Sequence, residues 1–205
     1  MHQNEANPFI TRLRSHGIKV TALHNHWLFD NPRTMYIHFE SIDRPLAFAR
    51  NVKDALNVLK PPGNNLTTSS RVTPLCKRFA SILGGTPATI NGVCTVTHSR
   101  LNLHPTILGR KTRSFLAIPQ AFSFESMDSS GRALCLGETV ILQSELQRFI
   151  SVLRKHGIKV TAFHNHWLFE HPRLMFIHFE AINKPLVFAR HVREALDTLR
   201  KGPVT

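Results

Sequence analysis

The chain has 205 residues, of which 42% are hydrophobic, enough for one large domain or two small ones around a buried core. Its formal net charge of +13 favours polyanions in general. The basic residues are scattered, with only Arg110 to Arg113 tightly clustered, and no nucleic-acid motif accompanies them, so nucleic acid is not the expected partner. No run approaches the roughly 18 apolar residues of a transmembrane segment. The opening MHQNEANPFITRLRSHG lacks a basic leader followed by an apolar core, so the sequence as written is expected to be soluble, unexported and cytoplasmic.

The first element is a helix carrying Phe9, Ile10 and Leu13 on one face and closed at Gly17, where glycine can take the left-handed terminating conformation. Ile18 to Leu23 follow as a strand, then a turn at Asn31-Pro32 and a second strand, Thr34 to Ser41, which together predict an antiparallel hairpin. A second helix starts near Pro45, with Leu46, Ala49, Val52, Leu56 and Leu59 facing inward. Residues 60–74, KPPGNNLTTSSRVTP, have the composition of a linker. Residues 75–119 form an irregular middle segment with Gly84-Gly85 and a strand-like Ala88 to Thr97. Strands at Ala121 to Met127 and Ala133 to Ile141, joined through Asp128 to Gly131, predict another hairpin.

From there the chain repeats itself. HGIKVTALHNHWLF from His16 returns as HGIKVTAFHNHWLF from His156, MYIHFE returns as MFIHFE, and PLAFAR as PLVFAR, always 140 residues apart. A period this long means two copies of a whole supersecondary unit and excludes a solenoid, whose units run roughly 20 to 50 residues. The second copy therefore carries a helix over Leu146, Phe149, Ile150 and Leu153, with Ser144 and Gln147 as a capping box, strands at Ile158 to Phe163 and Leu174 to Ala181, and a helix from Pro185. The expected fold is α+β, two ferredoxin-like β-α-β-β-α repeats with pseudo-twofold symmetry. Met1 aligns with Ile141, so the first copy lacks its leading strands, and its sheet either lacks an edge or borrows a strand from the middle segment. The expected units are a first repeat at 1–59, a linker at 60–74, the middle segment at 75–119 and a second repeat at 120–205. The chain reads as an incomplete version of a longer parent.

Both copies keep their histidines, although no hydrophobic core requires imidazole. His24 and His26, like His164 and His166, are two apart at a strand end, which points both rings to one side. His38 and Glu40, or His178 and Glu180, have the same spacing on the partner strand, so three imidazoles and a carboxylate could converge in each copy. That donor set suits a transition metal ion, zinc, iron or copper, with a position left for water or substrate. Parity opposes it. Ile18, Val20 and Ala22 share a face with His24 and His26, whereas Met35, Ile37 and Phe39 oppose His38 and Glu40. A single site then needs a β-bulge, irregular geometry at the histidine pair, or ligands from the other copy. The competing reading is structural, with Asn25 and the histidines bonding the turn and Trp27 and Phe29 anchoring the core.

Arg33 and Arg173 could grip an anion or pair with Glu40 and Glu180. His16 and His156 read as helix C-terminal cations. The three cysteines, Cys76, Cys94 and Cys135, lack CxxC spacing and read as buried apolar thiols. No P-loop, dinucleotide fingerprint, nucleophile elbow or HExxH occurs, so no nucleotide cofactor is expected, and the HNH letters spell a tripeptide, not the nuclease motif.

HGIKVTA, HNHWLF, PRLMFIHFEA and PLVFARHVREAL together resemble the LppY/LpqO-like bacterial family. The likeness covers both repeats and extends loosely over Ile90 to Glu138. It implies a domain of unassigned function whose members often carry an export or lipoprotein signal, and it implies no reaction. The residues themselves point to a protein that binds a transition metal through its His pairs, which extends to a small metalloenzyme with a metal-activated water, with a non-catalytic module for a peptide or small molecule as the alternative.

Overall fold

The structure, a computed structural model, describes residues 1–60, 67–69 and 71–204. Part of the linker stretch, 61–66 and 70, lies outside the described residues. In chain order the elements are α1 (Ala6–Ser15), β1 (Lys19–Asn25), β2 (Met35–Glu40), α2 (Pro45–Leu56), β3 (Thr68–Ser69), α3 (Pro74–Leu83), β4 (Thr86–Ile90), β5 (Val93–Ser99), β6 (Thr106–Ile107), β7 (Arg110–Lys111), β8 (Pro119–Glu125), β9 (Ala133–Leu142), α4 (Leu146–Lys155), β10 (Lys159–His164), β11 (Glu170–His171), β12 (Leu174–Asn183) and α5 (Pro185–Leu196). The fold is α+β with antiparallel sheets.

One sheet runs β10-β12-β9-β8-β5-β4-β3, and α3, α4 and α5 pack on one of its faces. Phe79, Phe122, Phe149, Phe179 and Phe188 fill that layer, together with Ile177 and Val192. The first copy's hairpin, β1 with β2, forms a separate two-stranded sheet, backed by α1 and α2 through Phe9, Leu13, Ile18 and Ala55. Among the described residues it borrows no strand from the middle of the chain. A third small sheet, β11-β6-β7, ties the loop before β12 to the middle segment.

Three readings of the sequence change. Ala88 to Thr97 is not one strand but a hairpin of β4 and β5, turned by Asn91 and Gly92, both at positive φ of 53° and 80°. Asn-Gly is the pair that a two-residue turn of this hand favours. Cys76 and Cys94 are not free thiols. They join in a disulfide that pins the first turn of α3 to β5 across a Cα separation of 5.7 Å, a pairing that sequence spacing does not reveal, and only Cys135 remains a buried thiol.

The expected capping box at Ser144 and Gln147 is also absent, because Glu145 takes the N-cap position of α4 and reaches further. Its carboxylate accepts hydrogen bonds from the backbone N–H of Leu142 at 2.8 Å and of Arg200 at 2.7 Å, and from the Arg100 guanidinium at 2.8 and 3.0 Å. Glu5, its equivalent, does the same for the N–H of His2 at 2.7 Å and of Lys60 at 2.9 Å. One carboxylate per copy therefore joins the residue before the first helix to the end of the second.

Gly137 shows how closely the helix-side core is packed. A Cβ there would fall within the Phe179 ring, which is fully buried between β9 and the helices. Overpacking of this kind costs about 1–3 kcal/mol, so Gly137→Ala is expected to lower the unfolding free energy by that amount, read as a lower denaturant midpoint at an unchanged slope of the transition.

Candidate metal centre

A β-bulge decides which way the histidines face. β1 pairs with β2 as Val20↔Phe39 and then Ala22↔His38, so Thr21 is an extra residue in β1, and β10 repeats the shift between Val160 and Ala162. Before the bulge Val20 shares the helix-side face with Phe39. After it, Ala22 and His24 share the opposite face with His38 and Tyr36, since directly paired residues project to the same side. The parity conflict is thereby removed, and each hairpin presents three histidines on the face away from its helices.

These two faces pack against each other. Thr21 Oγ1 donates to the carbonyl of His166 at 2.5 Å. Lys19 lies over the Phe169 ring and Lys159 over the Phe29 ring, each at 4.6 Å, a reciprocal pair of contacts between the copies. Between the hairpins lies a layer of six imidazoles. The rings of His24 and His164 meet at 3.4 Å between centroids, His26 stacks on His178 at 3.7 Å, and His38 on His166 at 3.6 Å. Tyr36 covers the outer face of His26 at 3.5 Å and Phe176 that of His166 at 3.4 Å. The histidines thus combine between the copies and do not form a separate set in each.

Eight nitrogens of these rings are buried and have no hydrogen-bond partner: both of His24 and of His178, and Nε2 of His26, His38, His164 and His166. Only His164 has a bond of its own, from Nδ1 to the Asn165 carbonyl at 3.3 Å, which leaves Nε2 with its lone pair. The turns are held instead by Asn25 and Asn165, whose side-chain amides donate to the carbonyls of Trp27 and Trp167 at 2.8 Å. The asparagine half of the structural reading therefore accounts for the turns, while the imidazoles take little part.

Two groups of donor atoms lie within 4.8 Å of one another. One is His24, His26, His164 and His166, and the other is His26, His178 and Glu138. Glu138 is a functional candidate that the repeat did not reveal, because the repeated segments that align within this sequence begin after it. The signal was present as a lone carboxylate in the apolar strand ALCLGETVIL. β9 sets Glu138 directly across from His178, with Oε2 of the carboxylate 3.9 Å from His178 Nδ1.

Glu40 and Glu180 belong to neither group. Each sits at the far end of its hairpin beside a lysine, Lys19 or Lys159, and faces a carboxylate from the other copy, Glu170 or Asp30. Both oxygens of Glu40 are buried without a hydrogen-bond partner. Arg173 is exposed and pairs with Glu170 at 3.0 Å, and Arg33 is also exposed. His16 and His156 cap α1 and α4 and bind Asp54 and Glu194, each at 2.6 Å. His98 and His104 are exposed and join neither donor group.

Burial, reinforced by neighbouring imidazoles, holds the cluster neutral. It pushes His26 down to about 2 and His38 to about 3, and lowers His166 and His178 as well. Burial, reinforced by His24 and opposed by the hydrogen bond to the Asn165 carbonyl, takes His164 to about 4. It also raises the Glu138 carboxyl to about 7.

The chain belongs to a family of domains without assigned function. Its match to the family described as Domain of Unknown Function (DUF1259) spans residues 1–58 and 77–198, which takes in both copies of the histidine hairpin. No curated protein and no solved structure matches the chain. Among the described residues, no helix is long and apolar enough to cross a membrane.

The neutral cluster has a consequence for the metal-free protein. In the unfolded chain the histidines take up protons near pH 6.5, whereas in the folded protein they do so only at lower pH. Below pH 6.5 the unfolded state therefore binds more protons, and stability falls as the pH falls. Each of the buried rings His26, His166 and His178 contributes a slope of about 1.4 kcal/mol per pH unit in that window. Denaturation of metal-free protein between pH 7.5 and 5, as an order-of-magnitude range about the free histidine value, should show a midpoint that drops steeply on the acid side. A flat profile would contradict the buried, neutral state of the cluster.

Proposed function

We propose that this protein binds one transition metal ion in the imidazole layer between its two copies, and that the ion is open to water or substrate on the Glu138 side. The observation that carries this reading is the set of eight buried ring nitrogens without partners. A buried polar atom left unpaired costs about 1–3 kcal/mol, and an unpaired group in a folded protein calls for an explanation such as a water or an ion. Neutral imidazoles with free lone pairs, all but His38 gathered into the two donor groups, are in the protonation state that metal binding requires.

The donor chemistry narrows the metal. Imidazole suits zinc, iron and copper, and two histidines with one carboxylate leave open positions. Bound there, such an ion would supply Lewis acidity or an activated water. His26 and His178 would hold it together with Glu138, while His24, His164 and His166 offer the alternative set of four imidazoles with His26. Trp27 and Tyr36 would keep the ring of His26 in place, and the Thr21 bulge would keep both hairpins in register. The likeness to LppY/LpqO-like proteins rests on the segments that hold this centre, HNHWLF among them, and supports the view that the centre is what the duplication preserves.

Metal analysis of protein purified without an affinity tag tests the reading. After supplementation with zinc, iron and copper, a single ion per chain is expected, lost in His26→Ala because both donor groups use His26, and retained in His16→Ala. Loss in Glu138→Ala but not in His24→Ala would seat the ion at the carboxylate, and the reverse would seat it among the four imidazoles. Protein that stays free of all three metals, while folding normally, would overturn the proposal.

A further inference from the structure

The duplication creates two approaches to the imidazole layer, one past each tryptophan, and they have diverged. Trp167 is 9% exposed and packs with Leu103, Ile118, Val140 and Leu142, which close its side. Trp27, its equivalent, is only half-buried and forms one wall of a cleft of about 190 Å³ on the sheet face away from the helices. The register of the sheet lays out the rest of that cleft. Thr95, Ser123 and Leu136 stand side by side across β5, β8 and β9, and the next row runs from Ala121 to Glu138 and on to His178. The cleft therefore ends at the carboxylate that faces the histidines.

We propose that this cleft is a binding site for a small neutral phenol, seated against Trp27 with its hydroxyl toward Glu138. The proposal extends the metal-centre reading and takes from it only the importance of Glu138. Size selects one ring, since a protein cavity of about 150 Å³ accommodates benzene. Shape and chemistry select an aromatic ring, because Trp27 offers a ring wall, and Ala121 and Leu136 offer apolar surface. The hydroxyls of Thr95 and Ser123 lie along the opposite side, and Glu138 supplies an acceptor at the inner end. No basic residue lines the cleft, so nothing there selects an anion. A cationic amine would also meet the carboxylate, but it must approach a chain of net charge +13 and leave water with a single partner. A hydroxyl has neither difficulty.

The chain has two tryptophans, so its two indole N–H signals in a nitrogen-15 correlation spectrum report on the two approaches separately. Titration with phenol is expected to move the Trp27 signal saturably and leave that of Trp167 in place. Ala121→Leu, which fills the cleft from the sheet, should abolish the shift. Glu138→Leu, which removes the acceptor and keeps the bulk of the side chain, should weaken binding about tenfold if the lost contact is worth an ordinary hydrogen bond. Benzylamine should give no saturable shift. The proposal fails if phenol moves neither signal, if the shift survives Ala121→Leu, or if benzylamine binds and phenol does not. Metal content measured on the same samples separates the two readings: metal-loaded protein without a phenol shift sinks this proposal alone, and a phenol shift in protein that never takes up metal sinks the metal centre alone.

Discussion

The face-to-face contact of two β-hairpins, with imidazole in place of the usual aliphatic filling, is the constraint around which the rest of the chain is arranged. Sheets that pack on each other ordinarily bury interdigitating apolar side chains. Here the apolar side chains of each hairpin, Phe39 and Ile37 or Phe179 and Ile177, point the other way, into the helices. The inner layer is left to rings that stack well but carry unpaired nitrogens. Stacking of aromatic pairs contributes about 0.5–1.5 kcal/mol, whereas each unpaired buried nitrogen costs about 1–3 kcal/mol. On these magnitudes the layer is a net liability to the folded protein unless its lone pairs are used, and selection for stability alone would have replaced it.

The contacts that hold this layer together come in pairs related by the duplication. Lys19 on Phe169 is matched by Lys159 on Phe29, and Asn25 bonding the Trp27 carbonyl is matched by Asn165 and Trp167. The loops therefore cross from each copy onto the other, so neither hairpin completes the histidine layer by itself. Where the copies differ, the difference concerns access. Trp27 donates from its indole N–H to the Tyr36 hydroxyl at 3.3 Å, whereas Phe176 stands in the equivalent place and leaves the Trp167 N–H buried and unpaired. The second approach is closed with apolar side chains at a small polar cost, while the first keeps its polar partner and ends at a carboxylate.

Much of this was legible in the sequence, and the exceptions have physical reasons. The helices and hairpins of both copies follow from their periodicity, and the repeat itself singled out the six histidines. Parity on the strands raised the right question about His38, but not its answer, because Thr21 is an ordinary strand residue and nothing in its identity marks it as the one that has no partner. Glu40 and Glu180 were grouped with the histidines by their spacing on the strand, yet they lie one step further along the hairpin, beside Lys19 and Lys159. Glu138 escaped because a repeat can highlight only what both copies keep. The joining of Cys76 to Cys94 depends on how α3 lies on β5, a tertiary fact with no local signature.

The two donor groups share one residue, and this limits what the layer can hold. His26 belongs to both sets. A neutral imidazole offers one lone pair, so His26 cannot serve an ion among the four imidazoles and another beside Glu138 at the same time. An ion bound as proposed would therefore take one set or the other, and the two sets would not act as a pair of centres, even though the histidines occur in both copies. Exchange of the two copies maps the four-imidazole set onto itself and the pair His26 and His178 onto His166 and His38, and of the two pairs it is His26 and His178 that have Glu138 within reach. A centre with four imidazoles is closed and suits a structural ion, whereas two imidazoles and a carboxylate leave coordination positions free. Whether a bound ion would be structural or reactive thus comes down to Glu138, the carboxylate in the two donor groups.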